Sequence, residues 1–162
     1  MLPNEPVDEP LSGFKGFICV GQLMKNGFSV IDDAPGVYLI LRRSAEPPIF
    51  LEKGTGGWFK GMDPNVPVSV FKEKWVDGTE IMYIGKAGTS LKKRLRTYMR
   101  FGMGLDSPHK GGRYIWQLAD SRDLLVCWKV LPSGIDPELF EKMMIADFVK
   151  KFGKFPLANL RY

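Results

Sequence analysis

The stretch that decides the fold is Pro35-Gly36-Val37-Tyr38-Leu39-Ile40-Leu41-Arg42. Its side chains fall into two alternating sets, and alternate residues of a β-strand point to opposite faces of a sheet. The dipeptide Pro35-Gly36 is typical of a turn and ends the preceding segment. The stretch therefore predicts a strand over residues 37–42.

A second strand is predicted over residues 80–86, around Tyr83-Ile84-Gly85. The segment between the two strands is rich in loop-forming residues and contains Gly54-Thr55-Gly56-Gly57. A short helix over residues 68–75 closes this segment. We therefore expect an insertion over residues 44–79 between the first two core strands.

Three further elements are predicted towards the C-terminus. Ser90, or the threonine before it, is suited to begin a helix that ends near residue 101. Residues 124–131 are strongly apolar and predict a third strand. Asp136-Pro137 begins a helix that ends before Gly153. This order predicts an α+β domain, in which helices flank a small, mainly antiparallel sheet of three strands.

Length and composition limit the classes of protein that fit the chain. With 162 residues, of which 44% are hydrophobic, one domain is expected over residues 13–162, after a loose acidic tail over residues 1–12. No apolar run is long enough to span a bilayer, and the N-terminus lacks the basic residues of a signal or transit peptide. We therefore expect a cytoplasmic protein that does not contact a membrane. Two cysteines and one histidine exclude a disulfide scaffold and a zinc cluster.

Positive charge is concentrated in one part of the chain. The net charge of the whole sequence is +5, but residues 81–116 contain eight basic residues and one acidic residue, a net charge of +7. Such a concentration favours a polyanion as partner, nucleic acid being the commonest. A solvated basic helix face is the alternative explanation. Gly85-Lys86 does not form a phosphate-binding loop, because the upstream glycine of that motif is missing.

Two charged residues fall within the apolar arcs of their predicted helices. Arg94 lies in the same arc as Tyr98, and Glu141 lies in the same arc as Ile145 when each helix turns by about 100° per residue. Removing a charge from water is costly unless the charge is paired or used. Two explanations are open: the two residues form a buried salt bridge with each other, or they belong to a functional site.

Six positions, in order, resemble the GIY-YIG nuclease family. Gly36-Val37-Tyr38 is similar to the first half of the family's name motif, and Tyr83-Ile84-Gly85 is similar to the second, with Gly36 and Gly85 as the motif glycines. The other positions match single residues of the family: Arg94, Tyr98, Glu141 and Asn159. The resemblance covers residues 35–159, although the two tripeptides are much further apart than in the usual tight hairpin.

The resemblance implies hydrolysis of DNA phosphodiester bonds that depends on Mg²⁺ (or Mn²⁺). Glu141 is the implied metal ligand, because a single carboxylate suits a cation that keeps several of its waters. Arg94 would hold the non-bridging oxygens of the scissile phosphate, since its guanidinium matches phosphate geometry.

The remaining family positions imply supporting roles. Tyr38 or Tyr83 would take the proton of the attacking water, and because the pKa of a free tyrosine is about 10, the tyrosine needs a nearby cation, for which Lys86 is the candidate. Tyr98 would orient the arginine or the water. Asn159 would fix the tyrosines or the backbone of the site by a hydrogen bond.

Three hypotheses about function follow from these patterns. The first is a metal-dependent endonuclease that acts on double-stranded or branched DNA, with its oligomeric state left open. The second is a nucleic-acid-binding module on the same scaffold that does not cleave, and the third is a protein-interaction domain that uses the insertion. The residues expected to contact nucleic acid are Lys92, Lys93, Arg96, Arg100, Lys110 and Arg113.

Overall fold

An antiparallel sheet of four strands organises the fold in the computed structural model, which describes residues 11–107, 109 and 111–160. The strands lie in the order β1-β4-β2-β3, and each neighbouring pair is antiparallel. Their bounds are β1 Lys15–Cys19, β2 Gly36–Leu41, β3 Ile81–Ala87 and β4 Leu125–Val130. The predicted α+β class is confirmed, but the sheet has one strand more than the three predicted. Most of the predicted N-terminal tail lies outside the described residues.

The described residues contain four α-helices on the two faces of the sheet: α1 Val20–Asn26, α2 Val68–Lys74, α3 Leu91–Gly102 and α4 Pro137–Phe152. Three of their ends are formed as predicted. The Ser90 hydroxyl accepts a hydrogen bond at the start of α3, Asp136 caps α4, and Gly153 ends α4 in the left-handed conformation. In this part of the chain, no helix combines the length and the apolar character that crossing a bilayer requires.

The strand that the sequence pattern does not predict, β1, has an irregular backbone. Gly16 has a φ of +101°, and the register of β1 against β4 shifts between Gly16 and Ile18. The Trp128 ring requires this glycine, because a Cβ there would lie 2.3 Å from a ring atom. A bulge of this kind interrupts the alternation by which strands are identified.

Strand β2 is buried along its whole length and separates two hydrophobic cores. Tyr38 and Ile40 face a core that they share with α1, α2 and α3. Leu39 and Leu41 face a second core, against α4. The predicted alternation is confirmed, and α3 and α4 therefore pack on opposite faces of the sheet.

The insertion leaves from the end of the β2–β3 hairpin, where a bulge at Met82 shifts the register between Ile40 and Leu41. Leu41 pairs with Ile81 where the two strands separate. Residues 42–80 therefore lie outside the paired strands. Beyond this shift the register is constant from Ile40 back to Gly36, and it places Tyr38 directly opposite Gly85.

The insertion packs firmly onto the rest of the fold. The buried Phe71 ring of α2 stacks on Phe50 with a centroid distance of 4.7 Å. The Gln117 side chain accepts a hydrogen bond from the Val66 N–H and donates to the carbonyls of Leu51 and Val66. The hydrogen bonds join two segments of the insertion, at Leu51 and at Val66, to the short 3₁₀ helix that contains Gln117.

Candidate active site

A cleft of about 1080 Å³ opens beside the edge strand β3. It is bounded by β3 and the turn after it, by α3, by the first turns of α4 and by residues 111–113. The charged residues that line it come from all of these elements: Lys86, Lys93, Arg94, Arg113, Glu138, Glu141 and Lys142. Five of them are basic and two are acidic, so the lining is suited to a polyanion.

Arg94 and Glu141 reach this cleft from helices on opposite faces of the sheet. The ion pairs formed within the described residues do not join them, so the buried salt bridge considered as an alternative is not present. Burial raises the pKa of the Glu141 carboxyl to about 6, and the positive charges of Lys86 and Arg94 oppose this effect. Both charges are therefore available to a ligand in the cleft.

Three tyrosines form a cluster beside the cleft. The ring centroids lie 6.0 Å apart for Tyr38 and Tyr83, 6.2 Å for Tyr38 and Tyr98, and 5.5 Å for Tyr83 and Tyr98. Of the three, Tyr83 lines the cleft. Gly85 makes room for the cluster, because a Cβ there would lie 2.3 Å from the Tyr38 ring. The hairpin thus joins the two tyrosine motifs across the insertion.

Burial makes the hydroxyl groups of these three tyrosines harder to ionise than that of a free tyrosine. It raises the pKa of Tyr38 to about 12, and it raises the pKa of Tyr83 and of Tyr98 well above the usual range. Among the described residues, the buried Tyr38 hydroxyl has no hydrogen-bond partner of normal geometry, although Arg94 and Tyr83 lie near enough to lower its pKa. The cluster therefore offers neutral hydroxyls and no phenolate.

Lys86 lies on the face of the sheet that packs against α4, near Glu141, and the tyrosines lie on the other face. It is the cation that most strongly lowers the pKa of Glu141, whereas the groups that shift the pKa of Tyr83 do not include it. Strand alternation is the reason, since Tyr83 faces the core of α3 while Ile84 and Lys86 lie on the side of α4. The expected activation of a tyrosine by Lys86 is therefore not supported by the geometry.

A turn formed by Gly111 and Gly112 packs against the tyrosines. The sequence pattern does not assign these glycines to the site. The Tyr98 hydroxyl donates a hydrogen bond of 2.6 Å to the Gly112 carbonyl, while its predicted role in orienting Arg94 or a water stays a prediction. Gly112 has a φ of +73°, and a Cβ there would lie 2.4 Å from the Tyr98 hydroxyl. Gly111 also lies close to the tyrosine cluster, with 2.8 Å between its Cβ position and the Tyr83 hydroxyl.

His109 supports the same turn from inside the fold. Its ring stacks on Tyr98 with a centroid distance of 4.1 Å, and it is 1% exposed. Burial, assisted by the charge of Arg94, holds the pKa of His109 well below its usual range, so the ring is neutral. In the sequence, this glycine turn appears as a run of small and basic residues around His109. Such a run by itself indicates only a turn.

Asn159 fixes the backbone of β3. Its side-chain oxygen accepts a hydrogen bond from the Ile84 N–H, and its side-chain nitrogen donates to the Ile84 carbonyl, each at 2.9 Å. The Ala158 N–H donates to the Met82 carbonyl at 2.9 Å. The C-terminal segment therefore occupies the free edge of β3, and Asn159 acts by holding this strand in place.

Replacing Asn159 with alanine is expected to destabilise the protein by about 2–4 kcal/mol, because two buried main-chain groups of Ile84 lose their partners. Denaturant unfolding measures the loss. The exposed neighbour Leu160 provides the control, since Leu160→Ala removes no hydrogen bond of the strand. Equal stability of the two variants would contradict the role given to Asn159.

The predicted nucleic-acid contacts divide into two groups. Lys93 and Arg113 line the cleft. The predicted contacts on α3 that do not line it are Lys92, Arg96 and Arg100, and Lys110 lies outside the described residues. The first N–H groups of α3 donate to the carbonyls of Ala34 and Asp32 and to the Ser90 hydroxyl. The start of α3 therefore leaves none of these N–H groups free to bind a phosphate in the cleft.

The donor groups around Glu141 fit Mg²⁺ better than a transition metal. No group of three or more His, Cys, Asp or Glu side chains suited to a metal occurs within the described residues. A single carboxylate in an open cleft matches a cation that keeps several waters and takes further oxygens from phosphate. Glu141 is the residue that would hold it, with Glu138 lining the same cleft one turn earlier.

Comparisons of the chain with protein-family models, with curated proteins and with solved structures found no match.

Proposed function

We propose that the protein is a metal-dependent endonuclease of the GIY-YIG type, which hydrolyses phosphodiester bonds of DNA. The observation that carries the proposal is the meeting of Arg94 and Glu141 in one basic cleft, next to Tyr83. The two charged residues lie 47 positions apart in the sequence and on opposite faces of the sheet. Their residue types and their order along the chain also agree with the resemblance to the family.

Each charged side chain has a defined task in this proposal. Arg94 binds the non-bridging oxygens of the scissile phosphate and stabilises the charge that grows there. Glu141 would hold the Mg²⁺ ion, which when bound lowers the pKa of a coordinated water and polarises the phosphate. Lys86 offsets part of the negative charge of Glu141 and keeps the carboxyl ionised near neutral pH.

Tyr83 is the tyrosine that meets the substrate, because it lines the cleft. With its hydroxyl protonated, it orients the attacking water by a hydrogen bond and does not itself take the proton of that water. Tyr38, which does not line the cleft, packs against the Tyr83 ring. The glycine turn faces these groups. It is held by Tyr98, which donates a hydrogen bond to Gly112, and by His109, which stacks on Tyr98.

The test is cleavage of supercoiled plasmid by the wild-type protein with Mg²⁺ and with EDTA. Nicked or linear DNA that forms only with the metal supports the proposal. Duplex, branched and single-stranded DNA should be compared in the same assay to find the preferred form. Tight, salt-sensitive DNA binding without cleavage of any form would favour the non-cleaving module instead.

Metal binding is expected to rise with pH between about 5 and 7, because the pKa of Glu141 is about 6 and only its ionised form binds a cation. The folding stability of the metal-free protein is expected to change in the opposite direction, so that it falls as the pH rises. A carboxyl whose pKa is raised on folding stabilises the protein at low pH, and this contribution is lost as the pH rises through the folded pKa. Calorimetric Mg²⁺ titrations at several pH values measure the first effect.

The variant Glu138→Gln provides a check on this pH dependence. Glu138 raises the pKa of Glu141 by its charge, so its removal is expected to move the midpoint of metal binding to lower pH. An unchanged midpoint would show that another group controls the titration.

A further inference from the structure

The insertion places a lysine beside the rim of the cleft. The Nζ atom of Lys74, at the end of α2, lies 6.0 Å from the centroid of the Tyr114 ring. The Cζ atom of Arg113, which lines the cleft, lies 5.3 Å from the centroid of the same ring. Lys74 and Arg113 therefore lie near the same ring, which puts the Lys74 ammonium outside the cleft in the neighbourhood of Arg113.

The position of Lys74 is fixed by the core and not by a surface loop. Phe71, one turn earlier in α2, is fully buried and makes an edge contact with Tyr114 at a centroid distance of 5.2 Å. Trp75, the next residue, contacts Phe50. The stem of Lys74 is half-buried, so its ammonium is held near one place.

Within the described residues, no carboxylate forms an ion pair with the Lys74 ammonium. Lys74 takes part in none of the ion pairs found there. A cation in the last turn of a helix also stabilises the helix dipole, but Lys72 lies in the same turn and serves that purpose equally. The dipole therefore does not explain why one of the two lysines lies over Tyr114.

We infer that Lys74 forms a phosphate-binding subsite outside the cleft, which binds the backbone of DNA that flanks the cleaved bond. The inference rests on the proposed function and adds a role for the insertion, which extends the basic surface from Arg113 to α2. The ammonium contacts a phosphate as a point charge, so this subsite contributes affinity and register but no base specificity. DNA that continues beyond the cleft is the substrate class that such a subsite favours.

The experiment measures DNA binding in EDTA, where no cleavage occurs, at several salt concentrations. Wild type is compared with Lys74→Gln, with Lys72→Gln as a control of equal charge change in the same helical turn, and with Lys93→Gln as a variant within the cleft. Each phosphate contact contributes about 0.9 to the slope of log affinity against log salt. Lys74→Gln and Lys93→Gln are each expected to reduce the slope by about that amount and to weaken binding about twofold to fivefold, as expected for one exposed ionic contact.

The outcomes separate the inference from the function on which it rests. A slope that falls for Lys93→Gln but not for Lys74→Gln overturns the inference and leaves the proposed function in place. Equal reductions for Lys74→Gln and Lys72→Gln also overturn it, because they indicate a general charge effect. A wild-type protein that binds no DNA at low salt overturns both. Thermal unfolding of the two α2 variants confirms that they fold alike.

Discussion

Replacing Glu141 with glutamine is expected to reduce the rate of DNA cleavage by about 10³-fold or more, the scale of loss when a central catalytic group is removed. Glutamine keeps the size of the side chain and one oxygen, but it carries no charge to hold a divalent cation. The side chain makes no ion pair within the described residues, so the fold should be unaffected. DNA binding in EDTA should also remain.

The matched control for this variant is Glu138→Gln, which removes the same charge from the same cleft three residues earlier. Its side chain is exposed, whereas Glu141 is half-buried beside Arg94 and Lys86. We expect Glu138→Gln to retain cleavage within about tenfold of wild type, the lower end of effects for residues that support a metal site. If both variants cleave like wild type, the assignment of Glu141 fails. If both lose activity equally, the metal is held by the pair.

Replacing Gly85 with alanine is expected to destabilise the protein by about 3 kcal/mol, at the upper end of the usual cost of overpacking a core. The new Cβ would lie 2.3 Å from Tyr38 Cζ and 2.6 Å from the Tyr38 hydroxyl. Tyr38 is fully buried between Tyr83 and Tyr98, so its ring has no space into which to retreat. The melting temperature should fall by about 5–10 °C, and cleavage should fall with it because the tyrosine cluster is displaced.

Gly88→Ala is the control for Gly85→Ala. Gly88 lies three residues further on, in the exposed connection between β3 and α3, and a Cβ there meets nothing within 4 Å. Its stability should change by less than about 0.5 kcal/mol, as is usual at exposed positions. A Gly85→Ala protein as stable as Gly88→Ala would mean that the strand does not pass against the Tyr38 ring as described.

Elements with a strong local signal could be predicted from the sequence. The alternation of β2, the Ser90 cap and the Asp136-Pro137 start of α4 each depend on residues within one turn or strand. The positions of Arg94 and Glu141 in apolar arcs also depend only on helix periodicity. These local features were sufficient to choose the two side chains that the cleft brings together.

Features that depend on distant contacts could not be predicted. Strand β1 is irregular because Trp128, far along the chain, packs on Gly16. The glycine turn is held in place because the Gly112 carbonyl accepts a hydrogen bond from the Tyr98 hydroxyl. Lys86 meets Glu141 because α4 packs on the second face of the sheet, and no local pattern gives the face on which a helix packs. The register of β2 and β3 across the insertion likewise depends on tertiary pairing.

The order of the strands also determines when the site can exist during synthesis. Strand β4, the last of the described strands along the chain, lies between β1 and β2. Until residues 125–130 have left the ribosome, β1 has no neighbour and β2 is paired on one side only. Arg94 is made early, but Glu141 follows β4, and the segment that holds β3 through Asn159 comes later still. Under the proposed function, a nascent chain carries the proposed phosphate-binding residue before the proposed metal ligand, and cleavage is expected only after Glu141 and Asn159 have been synthesised.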